Sequence, residues 1–178
     1  MRMGLVGRLC AKSNNYTGGP LKGVSQNQGQ PVLEESGILM QPEIVTPDIP
    51  LPDHREALLE LLDTYNDQHF PDPVQTIALL IKDLDNGKII GGLWGATYWN
   101  WLFVDQFVVP ESCRGQGLGT RLLQQAEDIA RQRGCIGVWL YTFSFQAPHF
   151  YKQRGYAEFG QISDYPPGQA CFYFSKRL

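Results

Sequence analysis

The sequence predicts an α+β protein with a mixed, mostly antiparallel central sheet flanked by helices. Three observations support this prediction. Asn86-Gly87 stands between two apolar runs, as is typical of a tight β-hairpin. Residues 117–133 carry one apolar stripe at helical spacing, and residues 136–176 contain a strand, a short helix and a further hairpin around DYPPG. Because tight turns join most of the strands, antiparallel pairing should dominate the sheet.

Composition and length restrict the class of protein. A chain of 178 residues suits one domain, and its net charge of -3 gives no electrostatic footprint for nucleic acid. The apolar runs fall well short of the ~20 residues that span a bilayer, so no membrane partner is expected. The four cysteines are scattered and form neither a zinc pattern nor a disulfide framework. We therefore expect reduced thiols, no metal and a cytoplasmic location.

The first 40 residues differ from the rest of the chain. They are rich in Gly, Asn, Gln and Ser and hold few apolar residues to offset the entropy cost of ordering. We expect a flexible tail over residues 1–40 and one globular domain over residues 41–178.

The first half of this domain reads as strand, helix and three antiparallel strands. PEIVTP, residues 42–47, predicts a short first strand, and Asp53 is a plausible N-cap for a helix that runs to about Gln68. The helix has apolar residues spaced to give a wide buried face, namely Leu58, Leu59, Leu61, Leu62 and Tyr65. The strands follow at residues 76–84, 89–99 and 101–109.

The second half begins with a glycine loop and the helix at residues 117–133, which Gly134 closes. Next come a strand at 136–142, a short helix at 147–154, and strands at 157–162 and 170–176. The predicted order is β-α-β-β-β-α-β-α-β-β.

The glycine loop, ESCRGQGLGTRLL, places Gly115, Gly117 and Gly119 directly before a helix. Loops of this kind bind phosphates, because main-chain N–H groups can approach an anion and the helix N-terminus adds about half a positive charge. A P-loop requires Gly-Lys-Ser/Thr, and no lysine follows Gly119. A dinucleotide fingerprint requires a third glycine where Thr120 stands.

The spacing Arg-x-x-Gly-x-Gly, at Arg114, Gly117 and Gly119, resembles the acyl-coenzyme A motif of the GNAT superfamily of N-acetyltransferases. The segment TFSFQAPHFYKQRGY is similar to a later GNAT segment, and the element order over residues 42–178 looks like the same fold. The chain also resembles a subgroup of small bacterial members with GG-x-x-G-x-TYW, RGQGLGT and TFSFQAP-x-FY. The resemblance implies transfer of an acetyl group from acetyl-CoA to a primary amine by direct attack in a ternary complex.

The resemblance also assigns the cofactor site. Phe107, Val108 and Val109 would pair their backbone with the pantetheine arm, in a slot where this strand and the strand at 136–142 splay apart. Pro110 lies four residues before Arg114 where three is commoner in the family, so the register against the arm stays open by one residue. The diphosphate would be held by Arg114, Gly115, Gln116, Gly117, Leu118, Gly119 and Thr120, mainly through main-chain N–H groups.

Two side chains are candidates for the chemistry. Tyr151 matches the general acid of the family by position and would protonate the departing thiolate; the alternative is a core residue. Asp105 is an acid within an apolar strand and is the best candidate for the base that deprotonates the amine, unless it points to solvent or caps a turn.

The acceptor groove of this fold lies between the first helix and the final hairpin. That placement nominates Tyr65, Phe70, Trp99, Trp101 and Tyr165, whose rings suit a cation. A small-molecule amine is preferred to a protein amine. A non-catalytic acyl-CoA sensor is an alternative from another class, and the sequence leaves a monomer and a homodimer both open.

Overall fold

The computed structural model describes residues 42–178, and the predicted tail, residues 1–40, lies outside them. The described chain forms one six-stranded sheet in the order β1-β2-β3-β4-β6-β5, with helices between the strands. The helices and strands are α1 Pro52–His69, β1 Gln75–Lys82, β2 Ile89–Tyr98, β3 Trp101–Val108, α2 Leu118–Gln132, β4 Gly137–Phe143, α3 Pro148–Lys152, β5 Ala157–Ser163 and β6 Ala170–Arg177.

The pairing of the strands confirms the predicted sheet. Neighbouring strands pair antiparallel everywhere except between β3 and β4. The Asn86-Gly87 turn joins β1 to β2, and Gly87 takes the left-handed backbone conformation that such turns require. The parallel pair arises because α2 crosses over between β3 and β4.

The core lies between α2 and one face of the sheet. The apolar stripe of α2 contributes Leu123, Ala126 and Ala130, all buried. Alternate residues of the central strands meet them from the sheet, and these include Leu93, Leu102, Val104, Val138, Leu140 and Phe174. The glycine loop before α2 is therefore fixed to the sheet by the helix that follows it.

The predicted first strand is wrong. Residues 42–47 have no regular secondary structure, and Ile44 is 99% exposed. The sheet begins instead at β1, which pairs only with β2. A strand requires a partner along its backbone, and an apolar-polar pattern of six residues flanked by prolines does not supply one.

The first helix forms as predicted, but its start and its burial differ from the prediction. The helix begins at Pro52 with Leu51 as N-cap, so Asp53 is not the cap but lies in the first turn. None of its residues is buried, and Leu61 is 70% exposed. The apolar spacing indicates which face could be buried; it does not indicate whether another element packs there.

No helix within residues 42–178 combines the length and apolarity needed to cross a membrane. Cys135 and Cys171 are buried free thiols and Cys113 is half-buried, whereas Cys10 lies outside the described chain.

Candidate active site

A slot opens in the sheet between β3 and β4. The two strands pair from Trp101 with Gly137 to Val104 with Leu140. Beyond that point residues 106–108 pair with β2 and with no other described strand. The slot therefore begins where Asp105 leaves the paired region. This is the splay that the sequence predicts for these two strands.

Asp105 is the extra residue of a β-bulge, since Gly95 pairs with Val104 and Trp94 pairs with Gln106. Asp105 lies on the sheet face opposite α2, near the phenol of Tyr141. Burial raises the pKa of Asp105. Burial also raises the pKa of Tyr141, and the carboxylate of Asp105 adds to that rise. A half-buried carboxylate with a raised pKa thus stands at the mouth of the slot.

The glycine loop presents unpaired main-chain donors. Gly115 and Gly117 have φ of +75°, a conformation that other residues adopt only with strain, and Gly117 is the N-cap of α2. Within the described residues, no main-chain N–H group of residues 115–120 donates a hydrogen bond to the protein. Leu118, Gly119 and Thr120 form the first turn of α2, so their N–H groups point out of the helix end.

The side chains beside this loop stabilise its preceding turn. Arg114 donates from Nε to the carbonyl of Val109 at 3.3 Å, and Gln116 donates from Nε2 to the carbonyl of Ser112 at 3.2 Å. Both side chains are exposed. Arg114 therefore lies at the rim, between the end of β3 and the loop.

Tyr151 lies on α3, on the same face of the sheet as α2. Its ring is buried beside Phe107 and Phe174, with ring centroids 6.4 and 6.1 Å away. Burial raises the pKa of Tyr151. Its hydroxyl takes part in none of the hydrogen bonds among residues 42–178, and because no buried side-chain oxygen of these residues lacks a partner, the hydroxyl oxygen reaches the surface. Phe107 belongs to the end of β3 that does not pair with β4, so the phenol of Tyr151 lies next to the slot, on the sheet face opposite Asp105.

The segment TFSFQAP holds the end of β4. The Gln146 side-chain oxygen accepts hydrogen bonds from the Thr142 hydroxyl at 3.0 Å and from the Phe143 N–H at 2.9 Å. This segment closes the strand and turns the chain into α3, which carries Tyr151.

Sequence reasoning missed one residue at this site. Arg154, just past α3, donates two hydrogen bonds to the hydroxyl of Thr120 in the first turn of α2. Its position four residues after Phe150, on the polar side of a short helix, is the only local signal that could have pointed to it.

The nominated acceptor residues do not all come together. Trp99 and Trp101 line an aromatic cavity of about 490 Å³ with Trp139 and Phe159. Tyr165 packs instead on Phe143, at the other end of β4, with ring centroids 5.8 Å apart. Phe70, just after α1, has an exposed side chain, and its carbonyl accepts a hydrogen bond from Trp99 Nε1 at 3.2 Å. Tyr65 on α1 is exposed. The cavity is at the start of β3, whereas Tyr165 lies near the slot.

Potential metal ligands do not cluster in the part of the chain that the structure describes, where no three His, Cys, Asp or Glu side chains come together.

Comparison with known proteins identifies the class to which this geometry belongs. Residues 43–156 match the model of the Acetyltransferase (GNAT) family. Blasticidin-S acetyltransferase of Streptomyces morookaense is 45% identical over 95 residues, which cover 53% of this chain and 70% of that protein. An acetyltransferase of Agrobacterium fabrum is 33% identical over 135 residues, 75% of this chain and 98% of that protein.

The fold agrees with a solved relative. The crystal structure of an acetyltransferase from Bacillus cereus superposes with a TM-score of 0.68 at 36% identity, covering 75% of this chain and 98% of that one. The chain belongs to the GNAT family. It is an acyltransferase enzyme of this type and is related to Blasticidin-S acetyltransferase.

Proposed function

We propose that the enzyme transfers an acetyl group from acetyl-CoA to the primary amine of a small molecule. The observation that carries this proposal is the row of unpaired N–H groups at residues 115–120, which lies beside an open slot in the sheet. Main-chain donors at a helix N-terminus suit the diphosphate of the donor, and an unpaired strand suits its extended arm.

The residues present fit this donor. Gly115 and Gly117 border open space, since a Cβ added to either would meet no other atom within 4 Å. Arg114 adds a cation at the rim. Phe107, Val108 and Val109 lie beyond the last residue that pairs with β4, so the backbone groups among them that face the slot can pair with an amide-containing arm in the manner of a strand.

The chemistry needs one proton acceptor and one proton donor. In the proposed reaction the neutral amine attacks the acetyl carbon and the carbon–sulfur bond breaks, giving an amide and a thiol. Asp105 takes the proton of the amine, directly or through water, and Tyr151 gives a proton to the departing sulfur. The two groups lie on opposite faces of the sheet, with the slot between them.

A small-molecule acceptor is favoured by the relative that acts on blasticidin-S, since its name gives a compound and not a protein as acceptor. Around Asp105 the sheet face carries Tyr141 and Tyr173, whose ring centroids lie 6.1 Å apart, and Tyr165 lies beyond Phe143. A carboxylate among phenol rings suits a cationic amine, through contacts of about 0.5–2 kcal/mol each.

Two measurements test the proposal. Calorimetric titration should detect acetyl-CoA binding, with no heat from ATP or NAD, because the loop lacks the lysine and the third glycine that those ligands require. Thiol release should then appear with members of a panel of small amines. If acetyl-CoA binds but no amine or peptide amine causes thiol release, the proposed acceptor is contradicted. If acetyl-CoA does not bind, the proposed donor is contradicted.

A further inference from the structure

Arg154 holds the hydroxyl of Thr120 in one orientation. Its Nε and Nη2 donate to Thr120 Oγ1 at 3.0 and 2.6 Å, and its Nη1 donates to the carbonyl of Phe150 at 2.9 Å. The guanidinium also lies 3.9 Å from the centre of the Phe150 ring. Hydrogen bonds and a ring contact therefore fix this side chain, and it is half-buried.

The guanidinium of Arg154 determines which further hydrogen bonds the Thr120 hydroxyl can make. A guanidinium has only donors, whereas a hydroxyl has two acceptor lone pairs and one proton. The two bonds from Arg154 occupy the lone pairs of Thr120 Oγ1, so only the proton remains available. A positive partner also polarises the hydroxyl and strengthens the bond that this proton makes. Thr120 is thereby restricted to donating.

The residue that carries this donor belongs to the same loop and first helical turn as the unpaired N–H groups. Thr120 lies three residues after Gly117, in the first turn of α2, where the helix dipole favours negative charge. An added donor at this end of the helix stabilises an anion and offers nothing to a cation. The neighbouring Gly119 leaves the first turn in close contact with α3, because a Cβ there would lie 3.3 Å from the Phe150 ring.

We propose that Arg154 is a positioning residue that orients the Thr120 hydroxyl as a donor to a diphosphate oxygen of the acyl-CoA donor. This inference rests on the proposed function. It adds a side-chain donor to a loop whose other donors are main-chain groups, and it assigns the orientation of that donor to a residue 34 positions away in the chain.

The experiment compares two acetyl donors that share the thioester. Acetyl-CoA carries the diphosphate, and S-acetylpantetheine lacks it. The ratio of kcat/KM for the two donors measures what the diphosphate contributes, and it does not depend on how much of a variant is folded. We expect Arg154→Met and Thr120→Val each to lower this ratio by about tenfold or more, the range of a lost hydrogen bond to a charged group.

A double variant and two controls complete the design. Arg154→Met with Thr120→Val together should lower the ratio no further than either alone, because the two side chains act as one unit. Thr120→Ser keeps the hydroxyl and should restore the ratio. Lys152→Met removes a cation two residues before Arg154, at the end of α3. Lys152 pairs with Glu158 at 2.9 Å, away from the loop, so this variant should keep the wild-type ratio.

The possible failures are distinguishable. If the Arg154 variant loses activity equally with both donors, Arg154 has only a structural role and the inference is wrong. Additive losses in the double variant would also overturn it. A wild-type enzyme that uses both donors equally well would refute diphosphate binding by the loop, and with it the proposed donor.

Discussion

Two buried tyrosines, Tyr151 and Tyr156, allow catalysis to be separated from stability. Phenylalanine at position 151 retains the ring packing against Phe107 and Phe174. Within residues 42–178 the lost hydroxyl has no hydrogen-bond partner and is not a buried atom, so the free energy of unfolding should change by less than about 1 kcal/mol.

The effect of Tyr151→Phe on turnover follows from its proposed role as general acid. General acids contribute roughly 10²–10⁴-fold, and a thiol leaving group with a pKa of about 8.5 needs modest help, so kcat should fall by about 10²-fold. Burial raises the pKa of Tyr151, so the phenol stays protonated throughout an assay between about pH 6 and 9 and should add no descending limb to the pH profile.

Tyr156→Phe provides the matched control. The Tyr156 hydroxyl donates to the buried Glu127 carboxylate at 3.0 Å, and Lys176 stays paired with that carboxylate at 2.8 Å. Loss of this bond should lower the unfolding free energy by about 1–2 kcal/mol and Tm by about 3–8 °C, with kcat within about threefold of wild type.

Thermal melts and thiol release with saturating acetyl-CoA measure both effects on the same samples. If Tyr151→Phe keeps kcat within threefold, the phenol is not the acid. If it lowers Tm as much as Tyr156→Phe does, the residue is part of the core and nothing more.

Two further predictions concern the loop and the base. Gly117→Ala places a Cβ at φ +75°, which should lower the free energy of unfolding by about 1–2 kcal/mol and weaken acetyl-CoA binding. The control is Gly134→Ala, at φ +76° after the far end of α2, which should lower stability as much without changing the dissociation constant of acetyl-CoA. Equal binding by both variants would contradict the assignment of the loop. Burial raises the pKa of Asp105 above its usual value, so its ionised form destabilises the fold as pH rises through that pKa. Asp105→Asn should therefore melt at a higher temperature than wild type at pH 7, while kcat falls by about 10²-fold and the ascending limb of the pH–rate profile disappears. A variant with wild-type turnover would exclude Asp105 as the base.

The fold could be predicted where the information is local. The Asn-Gly turn, the apolar stripe of α2 and Gly134 act over a few residues, and each element they predict is present. The errors concern residues 42–47 and the face of α1, where the outcome depends on whether a distant element packs against the segment. A periodic pattern shows which face of a segment is apolar, but it carries no information about the element that would have to pack against that face.

The site follows the same division. The glycine spacing indicated the loop, because that pattern lies within a short stretch of chain. The slot was implied by the resemblance to the GNAT family. Arg154 was missed because its contact with Thr120 exists only once α3 packs on α2. Trp101 and Tyr165 were grouped wrongly because the strand register, which the sequence does not reveal, separates them along β4.

The slot between β3 and β4 leaves a row of unpaired backbone groups in the interior of the sheet and not along one of its edges. Exposed margins recruit strands of other molecules and lead to aggregates. Here β3 and β4 border the slot, and β2 and β6 pair with their other edges. A sheet of another molecule therefore cannot reach the unpaired groups, and only a single extended chain can enter the slot. The unpaired backbone groups of the slot can therefore stay exposed without the risk of aggregation that an unpaired edge strand carries.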